Sequence, residues 1–337
     1  MNIAISAEGL RKRYGDHEVL KGVGLSVEAG TVYGVLGPNG AGKTTMVRML
    51  ATLLRPDAGS AQVVGYDVVT QAHEVRRRIG LTGQYAALDG ELTGRENLVL
   101  LGTLMHLGRK RARSRAEELL ERFDLTDAAD RPVRTYSGGM RRRLDLGASL
   151  IASPPVVFLD EPTTGLDLVS RTALWDMVRE QVAGGVTILL TTQYLEEADQ
   201  LADRVAVIDQ GTVAAEGTPD ELKSRVGGER LEITVRTPEM ARAALAPLSS
   251  AGSAPPVIDD TGLRVSAALE TGFAGVSKAA AELQLNAVEV VDFVVRRPSM
   301  DEVFLELTGH KGRTATAGSR LPAEPERGTS ELEVAPR

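Results

Sequence analysis

Apolar residues follow two kinds of spacing along the first two thirds of the chain. Val19 to Val27 and Thr31 to Leu36 are short apolar runs separated by Glu28-Ala29-Gly30, a turn signal, so both read as strands. Between Thr44 and Leu54 the apolar positions Met46, Val47, Leu50, Leu53 and Leu54 share one helical face, and Arg55-Pro56-Asp57 ends it. Glu91 to Phe123 is mostly helical in pattern and locally rich in charge. Pro155 to Leu159 and Val186 to Leu190 are short, β-branched and unalternating, which suits strands buried on both faces of a parallel sheet. Strands interleaved with helices predict an α/β fold.

A second pattern begins near Gly227-Gly228. Leu231 to Val235, Leu263 to Val265 and Val288 to Val295 read as strands. Glu239 to Leu248, Ala274 to Leu283 and Met300 to Leu307 read as helices. The expected division is therefore a main domain over 1–226, a small α+β domain over 227–309, and a tail over 310–337. That tail is poor in aromatics and rich in Gly, Ser, Pro and Glu, and reads as disordered. No internal repeat is present.

Composition narrows the classes. A chain of 337 residues is ample for a buried core, and 46 acidic against 39 basic residues give a net charge of -7. An acidic balance argues against sequence-independent nucleic-acid binding, so no nucleic-acid partner is expected. Arg109 to Arg115 reads as a solvated helix face, as do Arg76-Arg77-Arg78 and Arg141-Arg142-Arg143. Trp175 is expected to pack on a helix. The absence of Cys removes disulfides and thiol chemistry. There is no apolar run of signal-peptide length at the start and none of the roughly 18 residues that a membrane span requires, so the chain is not expected to cross a bilayer.

Two segments carry chemistry. Gly37-Pro38-Asn39-Gly40-Ala41-Gly42-Lys43-Thr44, with Thr45 next in line, matches the phosphate loop between a predicted strand and a predicted helix. Its glycines let backbone wrap phosphate oxygens, Lys43 reaches the β- and γ-phosphates, and the Thr44 hydroxyl suits Mg²⁺. Pro155 to Glu161 is an apolar strand ending in two carboxylates. Asp160 suits the metal and Glu161 a general base, with strand alternation expected to send the two side chains different ways.

Tyr136-Ser137-Gly138-Gly139-Met140-Arg141 resembles the signature motif of ATP-binding cassette ATPases, and the order phosphate loop, signature, VVFLDEP, TTGLD matches that family over residues 1 to about 225. The resemblance implies a P-loop α/β core with an antiparallel β portion and a helical subdomain. It implies that Ser137, Gly138 and Gly139 cap the γ-phosphate of ATP held by a second subunit, in a head-to-tail homodimer. It also implies that Asp167 crosses the dimer seam, that Gln84 links γ-phosphate and Mg²⁺ to the helical subdomain, and that Tyr14 stacks on adenine. The strand from Val186 to Thr192 should be followed by a switch histidine, but residue 193 is Gln. Gln193 can donate a hydrogen bond to phosphate yet carries no proton or charge at neutral pH.

The stretch TTQYLEEADQLADRVAVID and the segment Arg296 to Leu305 resemble the daunorubicin-resistance branch of the family. This implies the ATP-hydrolysing subunit of an exporter of hydrophobic antibiotics or drugs, at the cytoplasmic face of the cell membrane, beside a separate integral-membrane permease. A lipid or polysaccharide exporter is the alternative, and a soluble non-transport ATPase a weaker one. In the last segment Ser299 is expected to cap a helix whose stripe Met300, Val303, Phe304 and Leu307 is ordinary core.

Overall fold

A computed structural model describes residues 2–83, 88–226, 228–252, 254–269 and 272–308. The chain opens with two long antiparallel strands, β1 (Ile3–Tyr14) and β2 (His17–Glu28), then β3 (Val32–Leu36) and helix α1 (Lys43–Leu50). Strands β4 (Ala58–Val63) and β5 (Tyr66–Asp67), helix α2 (Ala72–Arg76) and strand β6 (Ile79–Thr82) lead to a helical region. This region contains α3 (Gly94–Leu104), α4 (Arg109–Arg122) and α5 (Gly138–Ser149). Next come β7 (Val156–Asp160), α6 (Leu168–Ala183), β8 (Thr187–Thr192), α7 (Leu195–Leu201), β9 (Arg204–Asp209), β10 (Thr212–Gly217) and α8 (Pro219–Val226). The last part runs β11 (Arg230–Val235), α9 (Pro238–Ala251), β12 (Val257–Ile258), β13 (Arg264–Ala268), α10 (Gly272–Leu285), β14 (Val290–Arg296) and α11 (Met300–Thr308).

Six strands form a mostly parallel sheet in the order β10-β9-β3-β8-β7-β6, with β10 alone antiparallel to its neighbour. The strands β3, β7 and β8 are buried at every position, which is why their sequences show no alternation. In space the alternation persists. Tyr33, Val35, Val156, Phe158 and Leu189 face a core shared with α1 and the antiparallel sheet β2-β1-β4-β5. Val32, Leu36, Val157, Leu159, Ile188 and Leu190 face the other way, toward apolar side chains of α3, α4, α5 and α6. Burying a side chain of this size contributes about 1.5–3 kcal/mol. The α/β class, the antiparallel portion and the helical region expected from the sequence are all present.

Helix α1 is shorter than its apolar spacing predicts. Thr52 is left-handed (φ 64°), and the N–H groups of Leu53 and Leu54 return to the Arg48 carbonyl at 2.8 and 3.1 Å. This closing turn, not Pro56, stops the helix.

The last four strands make an antiparallel sheet, β12-β13-β11-β14, with α9 and α10 against the face that carries Leu231, Ile233, Val235, Val265 and Ala267. Helix α11 packs elsewhere. Ser299 Oγ accepts from the Glu302 N–H at 3.3 Å while Glu302 Oε2 accepts from the Ser299 N–H at 2.9 Å, a capping box that starts the helix as expected. Its stripe is core, but Met300 and Val303 are buried in the cluster of the larger part, with Phe304 and Leu307 packed against it. Helices α7 and α8 are its neighbours. The proposed tail, 310–337, lies outside the described residues. Among the described residues no helix is long and apolar enough to cross a membrane.

Candidate active site

The loop from Gly37 to Gly42 joins the carboxyl end of β3 to α1. A Cβ on Gly37 would stand 2.4 Å from the Ile208 carbonyl oxygen, and Gly42 holds φ 105° with Leu20 Cδ2 only 2.5 Å from where its Cβ would be. Neither position admits a side chain. Lys43 opens α1 and folds back over this loop, its Nζ donating to the Gly37 and Pro38 carbonyls at 2.8 and 3.2 Å. The ammonium is buried and lies 3.3 Å from Glu161 Oε1. Asn39, Gly40, Gly42, Lys43, Thr44, Thr45 and Glu161 line a cavity of about 380 Å³ with His17 and Val19.

Sheet order brings the rest of the site to this loop. Because β8 lies between β3 and β7, the carboxyl ends of the three parallel strands stand side by side. Asp160 Oδ1 accepts from the Thr191 hydroxyl at 2.6 Å and from the Thr44 hydroxyl at 3.1 Å. The strand stops there. Glu161 is left-handed (φ 48°), and its N–H donates to both the carbonyl and the hydroxyl oxygen of Thr191, each at 3.1 Å. Such a backbone costs about 1–3 kcal/mol in a residue with a Cβ. A left-handed turn, rather than the strand alternation expected above, aims Glu161 toward Lys43. Gln193 follows β8 and is half-buried. The residue before it, Thr192, accepts the Gly37 N–H at 3.4 Å, which ties the switch segment to the phosphate loop.

The signature residues sit apart from this cavity. Ser137 Oγ accepts the Met140 N–H at 3.2 Å and caps α5. Asp167 caps α6 through the Ser170 N–H at 2.8 Å and the Ser170 hydroxyl at 3.2 Å, and these hydrogen bonds hold its carboxyl below the usual range. A Cβ on Gly139 would come within 2.6 Å of Ser170 Oγ, so the two capped helix starts are neighbours. Gly138 lines a second cavity, about 910 Å³, with Arg134, Arg141, Arg142, Asp145 and Glu161. None of Ser137, Gly138, Gly139 and Asp167 lines the phosphate-loop cavity. Tyr14 ends β1, exposed and outside that lining. Gln84 lies outside the described residues.

Three participants escape the sequence reading. Arg142 is not a solvated charge. Its guanidinium donates to the Pro162, Gly83 and Asp160 carbonyls at 2.6, 2.8 and 3.4 Å and to Asp145 Oδ2 at 3.2 Å. Burial pulls its pKa down, opposed by the nearby carboxylates of Asp145, Glu197 and Asp160. Thr191 braces both acidic residues. Glu197 on α7 is fully buried, with Trp175 Nε1 donating to its Oε1 at 3.2 Å, and burial pushes its carboxyl pKa up. Runs of three arginines and of two glutamates look like surface charge in a linear sequence, and only the packing of α5 and α7 shows which member turns inward. Arg109, Lys110, Arg111 and Arg113 do lie exposed on α4, with Ala112 and Ala116 turned inward, but Arg115 is half-buried and its guanidinium donates to the Leu150 carbonyl at 3.3 Å.

A phosphate loop at a strand–helix turn, an aspartate–threonine pair beside it and a separately capped Ser-Gly-Gly helix define an ATP-binding cassette ATPase. The ABC transporter family model matches residues 20–164, and the model for the C-terminal domain of ATP-binding proteins like DrrA1-3 matches residues 217–308. The chain is 58% identical over 315 residues to daunorubicin resistance ATP-binding protein DrrA3 of Streptomyces coeruleorubidus, covering 93% of this chain and 98% of the relative. With daunorubicin/doxorubicin resistance ATP-binding protein DrrA of Streptomyces peucetius the identity is 52%, covering 91% and 93%. Among solved structures, an ATP-binding subunit of an ABC transporter superposes with a TM-score of 0.60 at 29% identity, covering 66% of this chain and 92% of that one. The chain belongs to the DrrA-type ATP-binding proteins of the ABC transporter family. It is an ATP-binding, ATP-hydrolysing subunit of a membrane-associated transporter, of the kind that works as a dimer with a permease.

Proposed function

We propose that this chain powers export of a hydrophobic antibiotic or drug by hydrolysing ATP in a head-to-tail homodimer at the cytoplasmic face of the cell membrane. The observation that carries the catalytic part is the convergence of Lys43, Thr44, Asp160 and Glu161 at the carboxyl ends of β3 and β7. In this reading Lys43 leaves the Gly37 and Pro38 carbonyls to meet the β- and γ-phosphates, and Tyr14 stacks on the adenine. Loss of that lysine contact frees Glu161 to take a proton from the attacking water as its oxygen bonds to the γ-phosphorus and the bond to ADP breaks. The paired oxygens of Thr44 and Asp160 form a hard donor set that fits Mg²⁺, with Gln84 as a further ligand. When bound, the ion would neutralise phosphate charge. Gln193 donates an amide hydrogen bond to the γ-phosphate.

The Ser137-Gly138-Gly139 helix start serves the ATP of the opposite copy, which accounts for its distance from the phosphate-loop cavity of its own chain, and Asp167 lies along the same seam. The separate permease and a domain division at 226 and 309 belong to this reading, with α11 at the end of the smaller domain docked back onto the larger one. The drug cargo rests on the relatives named for daunorubicin resistance. The Nod factor export ATP-binding protein I of Ralstonia nicotianae is less similar, at 40% identity over 317 residues. The test is Glu161→Gln in the transporter assembled with its permease. ATP turnover and anthracycline efflux should both fall at least a hundredfold while an ATP-bound dimer accumulates. Wild-type turnover would remove Glu161 from the mechanism.

A further inference from the structure

Strand β14 is an edge of the C-terminal sheet, and six of its seven residues are exposed. Edge strands offer a free row of N–H and C=O groups, and an apolar one calls for a cover. Phe293 and Val295 stand opposite Ile233 and Leu231, on the face that α9 and α10 protect, yet they remain 59% and 38% exposed. Phe293 walls a groove of about 280 Å³ with Ile233, Val276 and Leu283. On the opposite face β14 carries Asp292, Val294 and Arg296, with Val294 47% exposed.

We propose that β14 pairs antiparallel with β14 of a second copy of this chain, about a two-fold axis through Val294, joining two C-terminal sheets edge to edge. The charge pattern of the strand selects this pairing. With Val294 opposite itself, Asp292 faces Arg296 of the second copy and Arg296 faces its Asp292, while Phe293 and Val295 face each other on the groove side. A shift to an axis through Phe293 would set Asp292 against Val294 and Arg296 against Val290, leaving Asp292 with no opposed cation and Arg296 with only Glu232 of its own sheet, 3.3 Å away. Isologous interfaces require this kind of self-complementarity, and opposed charges or aromatic–aliphatic pairs are what stabilise neighbouring strands. The seam lies outside the ATP site and needs no nucleotide, so it would hold two copies together when the head-to-tail pairing is open.

The chain has no Cys, so one introduced thiol reports one position. The experiment uses the full chain without nucleotide and with Lys43→Ala, so that failure of the head-to-tail reading cannot affect the outcome. Val294→Cys should oxidise to a linked dimer at least tenfold faster than Val257→Cys, a comparably exposed site on the opposite edge strand β12. Directly opposed antiparallel residues fall within disulfide reach. Adding Asp292→Arg should slow the link at least tenfold, and mixing that chain with one carrying Arg296→Asp should restore it in the heterodimer. Equal rates at 294 and 257, or indifference to Asp292→Arg, would overturn the proposal. A link at 294 that forms only after removal of 309–337 would also overturn it, and would make that segment the occupant of the edge.

Discussion

At the scale of single residues, the site differs from the usual family pattern at Gln193. An amide contributes a neutral hydrogen bond, so Gln193→Ala should cost about 1–3 kcal/mol of transition-state stabilisation, roughly tenfold to a hundredfold in ATP turnover. Gln193→His should retain activity and acquire a pH dependence near neutrality. Steady-state hydrolysis across pH with the permease present measures both, and an Ala variant as fast as the wild type would make the residue a bystander. Glu197 titrates differently. Burial raises its carboxyl above the ordinary value of 4.5, while the hydrogen bond from Trp175 and the charge of Arg171 oppose this only in part. The folded state therefore holds its proton to higher pH than the unfolded chain. The associated stability is complete below the unfolded pKa and declines as pH rises through the folded one. Glu197→Gln, neutral at every pH, should gain stability relative to the wild type as pH rises above the ordinary carboxylate value of 4.5. Trp175, the only tryptophan, reports the urea transition, and parallel stability–pH curves for the two proteins would rule the effect out.

At the scale of elements, one polar side chain of α5 reaches the end of the catalytic strand. Arg142 fastens the helix that starts at Ser137 to the carbonyls of Asp160 and Pro162 and to Gly83, which immediately precedes the proposed Gln84 ligand. Arg142→Leu breaks a buried charge pair and strands three carbonyls, so it should cost about 3–5 kcal/mol in chemical denaturation. Arg142→Lys should recover less than half of that, because an ammonium cannot reproduce the planar fork. A loss below about 1 kcal/mol for the Leu variant would mean that water replaces the guanidinium.

The same element shows how much could be read in advance. The phosphate loop, the acidic strand end and the Ser-Gly-Gly cap are local patterns, and α11's cap and stripe are too, so chain order suffices to find them. Strand β14 was also legible from its apolar run. Most of what escaped depends on neighbours distant in the chain. The burial of Arg142 requires β7 and Gly83, and the left-handed Glu161 requires Thr191. The turn that shortens α1 is local, but it is closed by the backbone carbonyl of Arg48, which no side-chain pattern marks. Strand β1 alternates only loosely, because its pairing with β2 is interrupted by several register shifts that turn successive residues to irregular sides.

At the scale of the whole molecule, the chain leaves the larger part at α8, builds the C-terminal sheet, and returns to α7 and α8 with α11. The seat of Met300 is thus part of the ATPase core, although it lies about seventy residues beyond α8 in the sequence. Met300→Ala should lower stability by about 2–5 kcal/mol, and Trp175 fluorescence should register the loss. A shift confined to the C-terminal sheet would show that α11 serves the smaller part instead.

That return has a consequence for how the protein is made. A ribosome that has finished α8 has already supplied the phosphate loop, both catalytic carboxylates and the signature helix, but the apolar side chains of α7 and α8 that α11 covers are still bare. They stay bare until α11 emerges. Nascent or prematurely terminated chains should therefore expose those side chains to chaperones and proteases, and the ATPase should reach full resistance to proteolysis only after nearly the whole chain has been synthesised.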